Sequence, residues 1–176
     1  MVDLTPLTGL IGTAQLKVGA DHTAPFVGSG RIAVLATPVM INLIEAAALN
    51  AIERLLPTGH QSLGIHLDVS HVAATPVGFW VTATATVLRV EGRTITFQVQ
   101  ARDDVEVIGS GIHKRVVVSV VRFDERLQRK VRVRDNPAIA AMRDHPTQDL
   151  RRRRDAASAS RSPGNSLCGR EAARAA

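Results

Sequence analysis

Rings and thiols are what this chain of 176 residues has least of: four phenylalanines, one tryptophan (Trp80), no tyrosine and one cysteine, Cys168. So few aromatic faces leave no platform for stacking single-stranded bases and no cage for a quaternary ammonium. A lone cysteine excludes an intrachain disulfide framework and any cysteine-based zinc site. It fits a reducing compartment, so a cytoplasmic location is expected. Long hydrophobic runs are also missing. The most apolar stretch, Val39 to Leu56, is interrupted by Asn42, Glu45, Asn50, Glu53 and Arg54, and no membrane span is expected. The opening Met-Val-Asp-Leu-Thr-Pro carries an acid and no basic segment, so no secretory leader is expected. The chain has no P-loop, GxGxxG, GxSxG or HExxH motif, and no histidine pair has metal-ligand spacing. Neither a metal nor a resident cofactor is expected.

Charge is plentiful but unevenly placed. The formal net charge is +6, yet residues 1–125 carry 9 Lys+Arg against 11 Asp+Glu and residues 126–176 carry 13 against 5. The expected organisation is therefore a mildly acidic body, 1–125, and a basic tail, 126–176. The tail holds Arg151 to Arg154 and a Ser/Ala/Gly/Pro-rich stretch. Its composition predicts a largely disordered segment with a short helix over 136–142. Such a tail either touches RNA or acidic partners or is a solvated extension.

The body is periodic. Ala14, Leu16 and Val18 alternate with Thr13, Gln15 and Lys17, predicting a first strand. After a Gly-rich stretch, Thr37-Pro38 reads as an N-cap followed by proline at the first helical position, and Pro57-Thr58-Gly59 closes the element. A helix of ~19 residues and ~28 Å is predicted between them. Apolar residues cover most of its circumference, so it should be wrapped by something else. The wrapping follows: alternating runs over Leu63–Val69, Val77–Val87, Ile95–Ala101 and Val116–Val121, with hairpin connections at Glu91-Gly92-Arg93 and Asp103-Asp104. One long helix followed by four strands predicts an α+β fold, an antiparallel sheet curled around a central helix.

A few residues break these patterns. Glu45 sits mid-helix with Ile41 and Leu49 at its i±4 positions, so no local salt bridge is available to it. Either it shares a narrow exposed stripe with Asn42 and Glu53, or it is a desolvated carboxylate suited to nucleophilic or general-base work. His71 falls on the odd-numbered, inward face of its strand (63, 65, 67, 69), as a satisfied core residue or a catalytic one. His66 is on the opposite face, and His113 lies beside Gly109-Ser110-Gly111, which reads as a strand irregularity. Thr37 is explained as an N-cap, but its place at the mouth of the helix also permits a catalytic hydroxyl. Gly64 inside a strand signals a bulge or a backbone that something must approach closely.

One long buried helix followed by a curled antiparallel sheet resembles the hot-dog fold of acyl-CoA thioesterases. The strings T-P-V-M-I-N-L-I-E (37–45), S-L-G-I-H-L-D-V-S-H-V-A-A-T-P-V-G (62–78), V-E-G-R (90–93) and I-G-S-G-I-H-K-R (108–115) are similar to the fluoroacetyl-CoA thioesterase-like proteins within it. The resemblance covers roughly residues 10–123, and V-x-H-x-A-A-T-P-x-G is its most specific element. It implies a catalytic threonine at Thr37, a glutamate at Glu45, a histidine at His71 and an oxyanion-side glycine at Gly64. It also implies a homodimer with the site at the interface. The family's phenylalanine-bearing lid is shorter here and holds only Phe26, Asn42 stands in place of glycine, and Ala46 in place of tryptophan. These departures point away from fluoroacetyl selectivity, with Asn42 adding a polar group to the pocket wall.

The expected activity is hydrolysis of a small acyl-CoA thioester. Glu45 would attack the carbonyl or activate water, Thr37 orient the carboxylate, His71 assist proton transfer and Gly64 N–H meet the oxyanion. CoA belongs to the substrate and no further cofactor is implied. Two rival functions make different predictions. A non-catalytic acyl-CoA-binding module would be stabilised by CoA esters without releasing product. A nucleic-acid-associated protein would show salt-dependent binding that vanishes with the tail.

Overall fold

The computed structural model describes residues 4–137. Its elements are β1 (Ile11–Lys17), a short α1 (Ala24–Val27), α2 (Thr37–Ile52), β2 (His60–His71), β3 (Trp80–Glu91), β4 (Thr94–Asp103), β5 (Val107–Ser119) and α3 (Val120–Arg134). The five strands form one antiparallel sheet in the order β1-β3-β4-β5-β2. β1 and β2 are its edges. The arrangement is α+β, as the periodicity predicts.

The core lies between α2 and one face of the sheet. Met40, Leu43, Ile44, Ala47, Ala48, Ala51 and Ile52 of α2 are buried. They face the inward residues of the central strands, Val81, Ala83, Ala85 and Val87 on β3 and Ile95, Phe97, Val99 and Ala101 on β4. Thr82, Thr84 and Thr86 alternate outward and stay partly exposed. The alanines on both elements let helix and sheet approach closely. At β1 the approach is closest, because a Cβ on Gly12 would collide with the Ala47 carbonyl and the Ala51 backbone. Glycine is required there by space, not by φ.

Several boundaries differ from expectation. Residue Ala36, not Thr37, is the N-cap of α2, and no side chain caps the helix; the Thr37 hydroxyl is engaged elsewhere, as described below. The helix ends at Ile52 and tightens into a 3₁₀ turn over Glu53–Leu55. Its burial is one-sided: Ile41, Ala46 and Leu49 are only partly buried, because a single sheet covers one face of a helix that is apolar on two. β5 begins at Val107, well before the predicted Val116, and Val120 and Val121 already belong to α3. Gly109, Gly111, His113 and Arg115 occupy its inward positions and conceal the apolar alternation.

On β2 the inward face changes parity. Gly64 pairs with Arg115 and His66 with Lys114, so Ile65 is an extra residue, a β-bulge. Ser62 and Gly64 face inward before it, and Leu67, Val69 and His71 after it. Ile65, predicted inward, is 55% exposed.

By its internal contacts the chain divides after Glu125. Residues 126–134, predicted to be disordered, are helical in α3. Phe123, Leu127 and Val131 recur at helical spacing among Arg, Lys and Gln, all good helix formers. The predicted helix over 136–142 lies outside the described residues from 138 onward.

Substituting Gly12→Ala should force β1 away from α2 and cost roughly 1–3 kcal/mol. A urea-denaturation midpoint lowered at constant m value would show it, and an unchanged midpoint would refute so tight a contact.

Candidate active site

Two clusters of polar side chains mark α2, one gathered about its middle and one at its first residue. The first gathers around Glu45. Its Oε2 accepts a hydrogen bond from Arg115 Nη1 at 3.2 Å, an ion pair in which the Arg115 side chain is 4% exposed and that of Glu45 34%. Its Oε1 lies over Gly64, where a Cβ would sit 2.6 Å from that oxygen. Gly64 is therefore both things its sequence position suggests, part of a bulge and a backbone closely approached.

Arg115 is anchored by Ser62. Its Nε donates to Ser62 Oγ and its Nη2 to the Ser62 carbonyl, both at 2.9 Å. The Ser62 hydroxyl in turn donates to Glu53 Oε2 at 2.8 Å, and the Ser62 N–H donates to Glu53 Oε1 at 3.2 Å. Beside Arg115 on the same strand face, His113 is fully buried. Its Nδ1 donates to the His66 carbonyl at 3.0 Å, its ring stacks on Phe97 at 6.0 Å, and Nε2 faces Arg115 Nη1 at 3.4 Å. Nδ1 as donor and Nε2 as acceptor require the neutral imidazole.

The second cluster pairs Thr37 with His71. Thr37 Oγ1 and His71 Nδ1 lie 2.9 Å apart. This bond draws the threonine hydroxyl away from the helix N-terminus, which is why it does not cap. In the tautomer with Nδ1 unprotonated, a neutral His71 accepts the hydroxyl proton there, the relation of a nucleophile or water-holding hydroxyl to its base. Both residues line an open cavity of about 290 Å³ whose remaining wall is mostly small or apolar, with Ala24, Ser29, Val72 and Ala74 among its members.

Burial lowers the pKa of His71, an effect the neighbouring Ala73 backbone partly offsets, and Nε2 has no well-formed hydrogen bond of its own. Burial likewise lowers that of His113; the His66 carbonyl opposes it, Arg115 adds to it and Glu45 works against it. Burial thus favours the neutral imidazole at both histidines, His113 beside the ion pair and His71 beside Thr37.

Not every candidate from the sequence meets here. Within one chain Thr37 does not touch Glu45: eight residues of helix separate them by about 12 Å. Asn42 is exposed on α2 and does not line the cavity. Phe26, in α1, is 71% exposed and is also absent from the cavity wall. On the helix stripe Asn42 is exposed, whereas the carboxylates of Glu45 and Glu53 are engaged by Arg115 and Ser62. Sequence reasoning missed Arg115, Ser62 and the role of His113. The available signal was a cation at an inward position two residues from His113, lost because the strand was begun at Val116. Among the described residues no three His, Cys, Asp or Glu side chains group as metal ligands, and no helix is long and apolar enough to cross a membrane.

Solved structures share this architecture. A fluoroacetyl-CoA thioesterase structure is 35% identical, covering 70% of this chain and 96% of its own, with a TM-score of 0.66. A hot-dog-like protein from Thermanaerovibrio acidaminovorans is 26% identical over 73% and 97%, with a TM-score of 0.68. The fluoroacetyl-CoA thioesterase of Streptantibioticus cattleyicolor is 42% identical over 97 residues, 55% of this chain and 70% of that one. Fold and relatives together define a hot-dog thioester hydrolase. The sequence profile of the fluoroacetyl-CoA-specific thioesterases matches residues 18–121, and the chain belongs to that family.

The depressed histidines give a pH signature. Below the ordinary value of 6.5 the unfolded chain takes up protons that His71 and His113 in the folded chain still refuse. Their contribution to stability is therefore complete above that value and is lost as pH falls through their lower folded-state pKa values. Denaturation midpoints measured from about pH 7.5 to about pH 5 should fall with acidification, and His113→Gln should flatten the dependence.

Proposed function

We propose that the chain hydrolyses a small acyl-CoA thioester to the free acid and CoA, at a site assembled from two copies. The observation that carries this reading is the Thr37–His71 hydrogen bond on the wall of a cavity, in a chain whose carboxylate Glu45 is about 12 Å away along the same helix. One thioester carbonyl cannot meet both clusters of one chain. A two-fold axis along the β2 edge would bring the half of one strand holding Gly64 to the half of the other holding His71. The partly exposed Ile41, Ala46 and Leu49 of α2 supply apolar surface that a second copy would cover.

In this arrangement the carbonyl sits against Gly64. Glu45 Oε1, the oxygen that Arg115 leaves free, takes a proton from the attacking water. The Gly64 N–H meets the oxyanion of the tetrahedral intermediate. The C–S bond then breaks, and the proton held by Glu45 passes to sulfur as CoA leaves. Thr37 of the second copy, its own proton directed to His71, accepts a hydrogen bond from the water and orients it. The reaction consumes only water and thioester, so no cofactor is invoked, and the unpaired Cys168 fits a cytoplasmic enzyme.

Two measurements test the reading. Glu45→Gln should lower kcat by at least ~10²-fold without unfolding the chain. Mixing Glu45→Gln chains with Thr37→Ala chains should restore about a quarter of wild-type activity, since half the dimers would be mixed and each would hold one intact composite site. No recovery on subunit exchange would place the whole site in one chain.

The acyl group follows from the cavity. Small and apolar residues line it beside Thr37 and His71, Phe26 is not among them, and the open volume of about 290 Å³ leaves room for more than a two-carbon acyl group. A wall this open supports little discrimination on a single fluorine. The kcat/KM for fluoroacetyl-CoA should exceed that for acetyl-CoA by less than ~10³-fold, and somewhat larger acyl groups should be turned over. A greater preference would overturn this assignment.

A further inference from the structure

Glu53 and Ser62 have no place in the chemistry above, yet they contact its machinery through a continuous chain of hydrogen bonds. We propose that they are positioning residues for Glu45, acting through Arg115; the proposal rests on Glu45 being the catalytic carboxylate.

The geometry is specific. A guanidinium is permanently charged and planar, with five N–H donors in a fixed fork. In Arg115 the Nε and Nη2 edge is taken by the hydroxyl and carbonyl oxygens of one residue, Ser62. That two-point grip fixes the plane and leaves Nη1 to reach Glu45 Oε2. Glu45 is thus held by one oxygen only, while Oε1 remains over Gly64.

The grip works only if the Ser62 hydroxyl presents lone pairs to Arg115. A hydroxyl has one proton and can turn it either way. Glu53 decides the matter: its Oε2 takes the Ser62 hydroxyl proton at 2.8 Å, and its Oε1 takes the Ser62 N–H. Glu53 also adds a second carboxylate near a guanidinium that is only 3% exposed. Without it, Glu45 would be the only negative charge near a buried cation, and the fork would be free to turn and bind both Glu45 oxygens. A carboxylate bound at both oxygens keeps only its outer lone pairs and is a weaker base toward water. Glu53 lies at the end of α2, where the helix tightens into its last turn, and Ser62 is the buried residue two positions before Gly64.

The test uses the full-length chain and the best acyl-CoA substrate found for it. Glu53→Gln offers one acceptor oxygen to two Ser62 donors, and Ser62→Ala removes the hydroxyl. Each should lower kcat by about tenfold or more with KM within about twofold. The double variant should be no worse than the poorer single one, because both remove the same link. Ser62→Thr, which restores the hydroxyl, should recover most of the lost turnover. Folded variants with wild-type kcat, or with raised KM alone, would overturn the proposal. So would a Glu53→Gln chain that cannot fold, since the pair would then serve stability. Glu45→Gln, measured alongside, separates the two levels: if it remains active, the catalytic reading fails; if it is inactive while Glu53→Gln is normal, only the positioning role fails.

Discussion

A buried guanidinium imposes the strictest condition on this fold. Arg115 cannot lose its charge, and desolvating it costs several kcal/mol unless partners replace the lost water. Those partners come from three directions: Glu45 on the helix, Ser62 on the edge strand and, through Ser62, Glu53 where the helix ends. Each constrains the register of the element that carries it. β2 must pair with β5 so that Ser62 lies within reach of Arg115, and α2 must be rotated so that Glu45 and Glu53 both point toward the same edge. The interaction that holds the Glu45 carboxylate also fixes the relative placement of α2, β2 and β5.

The rest of the core makes fewer demands. β3 and β4 meet α2 through alternating apolar residues and alanines, with Gly12 allowing β1 to lie against the helix backbone. This half is conventional packing and carries no polar side chain of the site. The division matches the sheet order, with the plain strands toward β1 and the functional ones toward β2. A rigid apolar half gives the polar half a fixed reference, as positioning to within fractions of an ångström requires.

How legible this was in the sequence follows the same division. β3 up to Val87 and β4 from Ile95 to Ala101 show period-two alternation, and the long helix lies between clear punctuation marks, so those elements could be placed without the structure. Glu45, Gly64 and His71 were visible because each breaks a local pattern. What could not be read depended on contacts distant in sequence. Thr37 looks like a helix cap until His71, 34 residues on, takes its hydroxyl. Arg115 looks like a surface cation until Ser62 and Glu45 surround it. The inward set of β2 was misassigned because counting by twos assumes an uninterrupted strand, and the bulge at Ile65 breaks the count. The helical turns after residue 126 were missed because their apolar residues are sparse and none is buried.

That bulge also bears on how copies of the chain can meet. An exposed sheet edge is a template that accepts any other strand, and a sheet with two open edges can in principle add neighbours without end. Here one edge is β1 and the other is β2, and β2 carries an extra residue near its middle. A bulge twists the backbone and interrupts the even spacing of its outward N–H and C=O groups. The bulge divides the strand into two regular runs, His60 to Gly64 and His66 to His71. Neither run is as long as β1, so a regular strand finds little continuous ladder to grip. A single added residue thereby acts as a stop mark against strand-by-strand growth from this edge.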